Sequence, residues 1–326
     1  MIVRYAIDAV VELSVIASFT RIGPAIRRRL FAWDAAEPGS LKGRTALVTG
    51  PTSGLGRAVV DDLARLGARV VLVARSADRL ARVRDELIAA HGGDRFPIVV
   101  ADMGSLTSVR AAVAEVLATE TRLDIVVDNA GAIFPERTVG PDGIEATLAV
   151  LVVGPFALIG GLLPLLRTTP AARVIAMTSG GQYTQALDLD DLQTAAASYA
   201  GALAYARAKR AQVCLVREWA RRLAADDVTF CAMHPGWADT PGLADTLPGF
   251  YNVMRRLLRT PSEGAATASW LAATADVGRF NGKLVLDRRA RPFDRVPWTV
   301  VSPADRRHLW DQVVGLSGMP DPLPSA

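Results

Sequence analysis

The pattern that most restricts the fold of this chain lies between residues 45 and 74. An apolar run, residues 45–48, leads into a glycine-rich turn, residues 49–56. A helical stretch, residues 57–66, and a second apolar run, residues 68–74, follow the turn. Short apolar runs bounded by glycine indicate buried strands. The order strand, glycine turn, helix, strand is that of a dinucleotide-binding unit.

Three glycines shape this turn, namely Gly50, Gly54 and Gly56. Glycine lets the backbone turn tightly and approach a ligand closely, and the amides at the start of a helix can hold a pyrophosphate. The spacing is wider than the common Gly-x-Gly-x-x-Gly. The alternative is a purely structural turn, which does not explain why a strand and a helix flank it so regularly.

The alternation of strand and helix signals continues along the chain, and four further apolar runs end in small or polar residues. These ends are Asp102-Met103, residues 128–131, Thr178-Ser179 and His234-Pro235-Gly236. Since open α/β sheets bind ligands at the carboxyl ends of their strands, the pattern predicts a Rossmann-type doubly wound parallel sheet. We expect one α/β domain, residues 41–290, with an N-terminal amphipathic helical segment, residues 1–40, and a C-terminal extension, residues 291–326.

Composition narrows the classes of function. The chain has 326 residues, half of them hydrophobic, and a net charge of only +4. This is typical of a globular protein and gives no footprint for nucleic acid. Cys214 and Cys231 lie in apolar runs, so we expect both to pack in the core of a protein from a reducing, cytoplasmic compartment. Three scattered histidines predict no metal site.

The first forty residues place apolar side chains at helical spacing, interrupted by Arg4, Asp8 and Glu12. They hold no run long enough for a membrane span, and their early acidic residues argue against a secretory signal. An amphipathic helix followed by Arg27-Arg28-Arg29 and Trp33 fits a peripheral contact with an anionic membrane surface. It fits equally a helix packed on its own domain or on a partner subunit.

The second strand ends in Ala74-Arg75-Ser76. A carboxylate at this point would bind the ribose 2′-hydroxyl of NAD, whereas an arginine accepts the 2′-phosphate of NADP. Arg75 therefore favours NADP(H) over NAD(H).

Tyr205 and Lys209 lie four residues apart in an alanine-rich stretch that favours a helix, so they share one face. A nearby ammonium stabilises phenolate, which would let the tyrosine act as an acid and base near neutral pH. The common alternative is a half-buried ring beside a solvated amine. Lys209 is, however, one of only three lysines in the chain, with Lys42 and Lys283. Lysine gives up its proton far more readily than arginine.

Taken in order, residues 49–56, residues 128–131, Ser179, Tyr205 with Lys209, and Pro235-Gly236 with Thr240 resemble the short-chain dehydrogenase/reductase superfamily. The resemblance covers residues 41–287. It is closest to the retinol-dehydrogenase-like branch that includes dehydrogenase/reductase member twelve.

The resemblance implies roles for individual residues. Tyr205 would be the catalytic acid and base, Lys209 would hold the nicotinamide ribose and lower the pKa of Tyr205, and Ser179 would bind the substrate oxygen. The implied cofactor site comprises Gly50, Thr52, Ser53, Gly54, Leu55, Gly56, Arg75, Asp102, Met103, Asn129, Ala130, Gly131, Tyr205, Lys209, Pro235, Gly236 and Thr240. We interpret His234, which precedes Pro-Gly at a strand end, as a structural or orienting residue.

Two positions depart from the family pattern. Asp128 stands where a second Asn is common, and Leu151 stands where the active-site Asn falls. In the family that Asn anchors a water beside the lysine and completes a proton relay, whereas leucine forms no hydrogen bond. The alternative to an active enzyme is therefore a cofactor-binding protein with weak or no turnover and a regulatory or membrane-associated role.

Apolar side chains recur in residues 241–259, the region that closes over substrate in the family. They predict either a hydrophobic substrate or a simple cap on the core. The leading hypothesis is an NADP(H)-preferring oxidoreductase that interconverts a lipophilic carbonyl and its alcohol. Relatives commonly pair, so we also expect a homo-oligomer, and the helical pattern at residues 303–316 predicts docking on the N-terminal segment or on a neighbouring subunit.

Overall fold

A computed structural model describes residues 2–34, 36–195 and 198–323. The remaining positions, which fall within the three predicted segments, lie outside the described residues. The strands are β1 (Thr45–Thr49), β2 (Arg69–Ala74), β3 (Ile98–Val100), β4 (Ile125–Asp128), β5 (Ala172–Met177), β6 (Val228–Met233), β7 (Leu284–Leu286) and β8 (Arg289–Arg291). They form one sheet in the order β3-β2-β1-β4-β5-β6-β7-β8.

Thirteen α-helices are present in the described part of the chain. They are α1 (Ile2–Leu13), α2 (Val15–Phe19), α3 (Ile22–Phe31), α4 (Gly54–Arg65), α5 (Ala77–His91), α6 (Leu106–Thr119), α7 (Ala146–Leu148), α8 (Gly154–Thr168), α9 (Gly201–Arg222), α10 (Pro241–Thr246), α11 (Pro248–Met254), α12 (Pro261–Ala273) and α13 (Pro303–Ser317). One turn of π-helix, Ala149–Val153, joins α7 to α8, and 3₁₀ turns occupy Gly180–Tyr183, Gly278–Phe280 and Pro297–Thr299.

All neighbouring strands are parallel except β7 and β8, which pair antiparallel. Because side chains alternate along a strand, Leu47 of β1 packs in one hydrophobic cluster, while Ala46 and Val48 pack in the cluster on the other face. Helices cover both faces, and the strand order reverses between β1 and β4. The predicted doubly wound Rossmann-type sheet is confirmed, and its ligand edge is the carboxyl edge at this reversal.

Both cysteines pack in the core, as expected. Cys214 lies in α9 and Cys231 in β6, and both are buried. Burial raises the pKa of Cys214 to about 11 and that of Cys231 to about 12, so both thiols stay protonated near neutral pH.

The N-terminal helices are folded with charge inside and apolar side chains outside. Asp8 and Arg27 are buried and lie 2.7 Å apart, and Arg27 also pairs with Asp287 at 2.6 Å. In contrast Val10 is 68% and Leu13 is 84% exposed. Arg27 was expected in a solvent-facing basic run, and that expectation is wrong because two buried carboxylates draw its guanidinium inward.

These contacts belong to a larger set of buried or half-buried charges, which we call the N-terminal ion cluster. Its members are Asp8, Glu12, Arg27, Arg259, Asp287 and Arg291. Arg259 donates hydrogen bonds to the carbonyls of Ser18 and Phe19 as well as to Asp287. The cluster therefore joins α1–α3 to the strand β8 and to the loop before it.

The C-terminal helix α13 packs on α8 and α9 of its own domain. Its Trp310 is fully buried, with its ring 4.8 Å from Phe156 and 4.6 Å from Trp219. The expectation that this helix docks on the N-terminal segment is wrong, because α8 and α9 offer it an aromatic surface; docking on a neighbouring subunit stays a prediction.

Within the described residues, one helical stretch, residues 146–168, is long and apolar enough to cross a membrane, yet 78% of it is buried in the fold. It includes the π-turn and α8, whose side chains fill the core between the sheet and α9. Burial of this kind is typical of a core helix.

Candidate active site

The glycine turn after β1 is shaped by close backbone contacts. Gly50 has φ +66°, and a Cβ there would lie 3.0 Å from Ala130 Cα. A Cβ on Gly56 would overlap the carbonyl of Gly50. Any side chain at either position would push the turn away from the β4 loop, which explains the need for glycine.

Asn129 fastens this turn to the end of β4. Its amide nitrogen donates to the carbonyl of Thr49 at 2.8 Å and of Gly50 at 3.1 Å. The Thr49 hydroxyl in return accepts from the backbone of Asn129 at 3.0 Å and of Ala130 at 2.9 Å. The two strand ends at the reversal of the sheet are thus locked together before any ligand is considered.

The turn and its helix fit the phosphates of a dinucleotide. The Ser53 side chain does not cap α4, so the first amides of that helix remain available to an anion. Thr52 is half-buried, Ser53 is exposed and Leu55 is half-buried along the same turn. These features fit the pyrophosphate of NAD or NADP on residues 50–56.

The residues predicted for the adenosine end follow β2 and β3. Arg75 is exposed just beyond β2 and forms no ion pair with any residue that the structure describes. Asp102 is exposed and accepts a hydrogen bond from the Gly104 amide at 2.9 Å, while Met103 is buried. The sheet therefore places all three at the same edge as the glycine turn.

The loop after β6 reaches across to that turn. The Thr240 methyl group lies 3.3 Å from the place that a Cβ on Gly54 would occupy. Gly236 has φ +76°, and a Cβ there would meet Phe19 O at 2.6 Å. Pro235 and Gly236 therefore lie between the N-terminal segment and the ligand edge.

His234 orients this loop. Its Nδ1 accepts from the Gly236 amide at 2.9 Å, and its ring packs edge-on against Phe19 at 4.3 Å. Burial, with the nearby charge of Arg259 and Arg295, holds the pKa of His234 well below its usual range. A neutral imidazole with these contacts agrees with the structural interpretation.

Ser179, Tyr205 and Lys209 meet at the ends of β5 and β6. Ser179 follows β5 and accepts from the Gly181 amide at 3.2 Å, and its side chain lies close enough to Tyr205 to act on the pKa of the phenol. Lys209 lies one helical turn beyond Tyr205 on α9, with Nζ 5.8 Å from the centre of the Tyr205 ring. The three predicted catalytic side chains are therefore neighbours.

The pKa of Tyr205 shifts in the direction opposite to the one expected from helical spacing. Burial raises it, and only the hydrogen bond with Ser179 opposes that shift. The expectation fails because the Lys209 ammonium lies over the face of the ring and is turned away by its own hydrogen bonds. Spacing along a helix fixes the face but not the direction in which a long side chain bends.

Those hydrogen bonds of Lys209 lead inward. Nζ donates to the Met177 carbonyl at 2.7 Å and to Gln212 Oε1 at 3.2 Å. The Gln212 amide then donates to Asp128 Oδ2 at 2.7 Å. We call Asp128, Gln212 and Lys209 the Lys209 triad. Gln212 was missed in the sequence, although its position three residues after Lys209 places it on the same helical face.

Leu151 lies in the π-turn and is fully buried. Its Cδ2 is 3.0 Å from the place that a Cβ on Gly131 would take. Together with Asp128 and Gln212 it lines a cavity of about 20 Å³ with otherwise mostly apolar walls. The apolar side chain thus occupies the wall where the family pattern has an amide.

Two short helices, α10 and α11, follow the loop after β6. Neither α10 nor α11 buries a residue, and Phe250 of α11 packs edge-on against Trp237 at 5.0 Å. Trp237 in turn packs on Phe19 at 5.7 Å. An apolar segment that buries none of its own side chains is poorly suited to capping the core, and it suits a cover for an apolar ligand.

Comparison with known proteins agrees with this geometry. A family model described as short chain dehydrogenase matches residues 44–248. Dehydrogenase/reductase SDR family member 12 of Bos taurus is 35% identical over 269 residues, which cover 82% of this chain and 84% of the relative. Retinol dehydrogenase 14 of Mus musculus is 35% identical over 293 residues, covering 84% and 86%.

A solved structure, the Pseudomonas aeruginosa RhlG/NADP active-site complex, is also similar. It is 28% identical, with a TM-score of 0.63 over 76% of this chain and 96% of that one. The matches in sequence and in fold therefore span the glycine turn, Ser179, Tyr205 and Lys209.

Proposed function

Given that this chain belongs to the short-chain dehydrogenase family, we propose that it interconverts a lipophilic carbonyl and the corresponding alcohol, with NADP(H) as the preferred cofactor. The family consists of oxidoreductases that bind NAD(P) and act on alcohol and carbonyl groups. The observation that carries the proposal is the meeting of Ser179, Tyr205 and Lys209 beside the glycine turn.

Each of these side chains has a distinct task in the proposed reaction. The Ser179 hydroxyl holds the substrate oxygen, and Tyr205 gives that oxygen a proton during reduction or takes one from the alcohol during oxidation. A bound nicotinamide supplies or takes up the hydride. Lys209 holds the ribose of the bound nicotinamide beside Tyr205. The relatives are named dehydrogenases or reductases, so a protein without turnover is not favoured.

The proposed substrate is apolar near its reacting carbon. The support is the exposed apolar cover formed by α10 and α11, with Leu247 40% exposed and Val253 80% exposed. The name of retinol dehydrogenase 14 indicates a lipophilic alcohol for that relative. Apolar walls with few polar groups select ligands of this kind.

Turnover is tested with NADPH and a panel of long-chain and aromatic aldehydes and ketones, including retinal. We expect reduction of at least one member, seen as loss of NADPH absorbance, and a loss of about 10²–10⁴-fold in Tyr205→Phe with NADPH binding retained. Tyr199→Phe is the matched control, because the Tyr199 hydroxyl forms hydrogen bonds with Thr147 and Glu145. NADPH binding without reduction of any carbonyl would refute the proposal.

The cofactor preference rests on Arg75, the exposed cation beyond β2. Arg75→Asp should weaken NADPH binding and shift the affinity ratio towards NADH by about tenfold or more, because a phosphate contact is replaced by repulsion. Arg82→Asp, on the exposed face of α5, makes the same change in charge. Equal affinity ratios in both variants would show that Arg75 does not bind the 2′-phosphate.

We further propose that the outer face of α1 and α2 contacts an anionic membrane surface. Val3, Val10 and Leu13 are 71%, 68% and 84% exposed on one side of α1. Two arginines of α3, Arg28 and Arg29, are exposed as well. A contiguous apolar face beside cations fits the interface of anionic lipids.

Flotation with vesicles of neutral and anionic lipid tests this contact. The combined variant Val3→Gln, Val10→Gln and Leu13→Gln should lose most vesicle binding, whereas Val300→Gln, 66% exposed in the C-terminal extension, should keep it. Point variants are preferable to removal of residues 1–40, since removal would take Arg27 away from Asp287 and the Ser18 and Phe19 carbonyls away from Arg259. Equal flotation of all variants would exclude the contact.

A further inference from the structure

Asp128 is a buried carboxylate directly behind the catalytic group. It is the last residue of β4, and its Oδ1 accepts no hydrogen bond among the residues that the structure describes. Its Oδ2 accepts from Gln212, and the same Gln212 side chain accepts from Lys209. One amide therefore bridges a buried acid and a buried base across an apolar interior.

We propose that Asp128, acting through Gln212, is the counter-charge that keeps Lys209 protonated and held in place, on the side where Leu151 offers no hydrogen bond. The inference rests on the proposed role of Lys209. Asp128 is a positioning residue, because it contacts neither substrate nor Tyr205.

The surroundings leave Lys209 little other compensation. Its second acceptor, the Met177 carbonyl, is neutral, and the cavity beside the triad is about 20 Å³ with mostly apolar walls. Among the described residues, Asp128 is the one charged group that shifts the pKa of Lys209, and Lys209 is the one charged group that shifts the pKa of Asp128. A buried ammonium without a counter-charge tends to lose its proton.

The direction of both titrations agrees with this geometry. Burial raises the pKa of Asp128 to about 6, partly opposed by Lys209, Gln212 and Thr49. Burial lowers the pKa of Lys209 to about 8, partly opposed by the charge of Asp128. Asp128 is charged above its pKa and Lys209 below its own, so the two are charged at the same time only between about pH 6 and pH 8. Removal of the Asp128 charge should therefore lower the pKa of Lys209 further.

The low lysine content permits a direct test. In protein labelled with ¹³C-lysine, the side-chain ε-carbons give three signals, and Lys42→Arg and Lys283→Arg identify the one from Lys209. We expect the Lys209 signal to titrate at about pH 8 with a smaller inflection at about pH 6 from Asp128. In Asp128→Asn the inflection should vanish and the midpoint fall by about one pH unit or more.

Two variants guard the interpretation. Asp124→Asn removes a buried carboxylate that pairs with Arg44 and Arg122 before β4, and it should leave the Lys209 midpoint unchanged. Gln212→Met keeps the size of the side chain but removes the bridge, so the Lys209 midpoint should fall.

An unchanged midpoint in folded Asp128→Asn would overturn the inference. If that variant does not fold, a wild-type curve without the inflection, or an unchanged midpoint in Gln212→Met, overturns it instead. The alkaline limb of kcat/KM should move to lower pH in Asp128→Asn, a shift that general loss of structure does not produce. Failure of the proposed function would remove turnover with every carbonyl but leave the titration intact.

Discussion

The N-terminal ion cluster and the Lys209 triad both bury charge, but they differ in the number of partners that each charge has. In the cluster Asp8 lies within 3 Å of Arg27, Arg289 and Arg291. Burial alone would raise the pKa of Asp8, yet the hydrogen bonds from Arg291 and Arg27 lower it. In the triad a single carboxylate faces a single ammonium through an amide.

The difference decides which group can exchange a proton. Several close partners more than compensate the loss of water, so the pKa of Asp8 is lowered and that of Arg27 is raised, and both stay charged over the neutral range. A single, more distant partner does not compensate that loss. The pKa of Asp128 therefore rises and the pKa of Lys209 falls. The same kinds of side chain thus form a structural joint in one place and a titrating site in the other.

Replacement of Lys209 should separate function from stability. In Lys209→Met we expect kcat/KM to fall by about 10²-fold or more, because the ammonium proposed to hold the nicotinamide ribose is lost. The free energy of unfolding should change by no more than about 1–3 kcal/mol, since Asp128 can take up a proton. Steady-state kinetics and urea unfolding at pH 7 measure the two. If Lys209→Met lost stability but kept its turnover, the buried charge of Lys209 would be structural and not catalytic.

Replacement of Asp287 should have the opposite profile. Asp287→Ala leaves Arg27 and Arg259 without a shared carboxylate in the interior, at an expected cost of about 3–5 kcal/mol in the free energy of unfolding. Asp276→Ala is the control, because Asp276 is 70% exposed and pairs only with Arg279. Urea unfolding measures both. Equal stability of the two variants would mean that the cluster contributes no more than a surface pair.

The two regions should also respond to pH with opposite sign. The folded pKa of Asp8 is depressed, so its contribution to stability is present above pH ~4 and is lost as the pH falls through the folded value. The folded pKa of Asp128, about 6, lies above its unfolded value, so stability falls as the pH rises from about 4 to 6. Relative to wild type, Asp128→Asn should gain about 1–3 kcal/mol across that window.

Urea unfolding at pH 4.5, 5.5 and 6.5 checks this gain, with Asp8→Asn as the comparison. Asp8→Asn should be less stable than wild type at all three values, because the lost ion pairs are fully formed there. A gain in Asp128→Asn that does not grow with pH would show that its carboxyl is not titrating in this range.

An exposed ion pair outside both regions gives the lower limit for the stability lost when one partner is removed. Arg167 and Asp226 lie 3.1 Å apart, with side chains 42% and 32% exposed. Asp226→Asn should change the free energy of unfolding by about 0.2–1 kcal/mol, and less in high salt. Unfolding at low and high ionic strength measures it. A loss of stability close to that of Asp287→Ala would show that the exposure of an ion pair does not determine its contribution to the free energy of unfolding.

The fold and the outline of the site could be read from local patterns. Strand runs with glycine at their ends fixed the order of elements and the ligand edge, because a βαβ unit closes in one hand and packs in few ways. The roles of Ser179, Tyr205 and Lys209 came from the resemblance to the short-chain dehydrogenases, with the helical spacing of Tyr205 and Lys209 as separate support. The boundaries at residues 41 and 290 and the individual cofactor contacts stay predictions.

Two features could not be read in this way. The period of α1 showed an amphipathic helix, but not that Asp8 would face the core, since its partners Arg289 and Arg291 lie far away in the chain. The role of Gln212 was equally hidden, because glutamines on helices are common. In both cases the deciding partner comes from a distant strand, which hydrophobic periodicity does not record.

The buried charges of α1–α3 affect how far this protein can be shortened and still fold. The family match begins at residue 44, after these helices. A chain that starts there would keep every catalytic side chain. It would, however, lack the Phe19 ring that packs on His234 and the Phe19 carbonyl that accepts a hydrogen bond from Arg259. The stretch that the family model matches is thus shorter than the stretch that these contacts hold together, so recombinant truncations should keep the N-terminal helices.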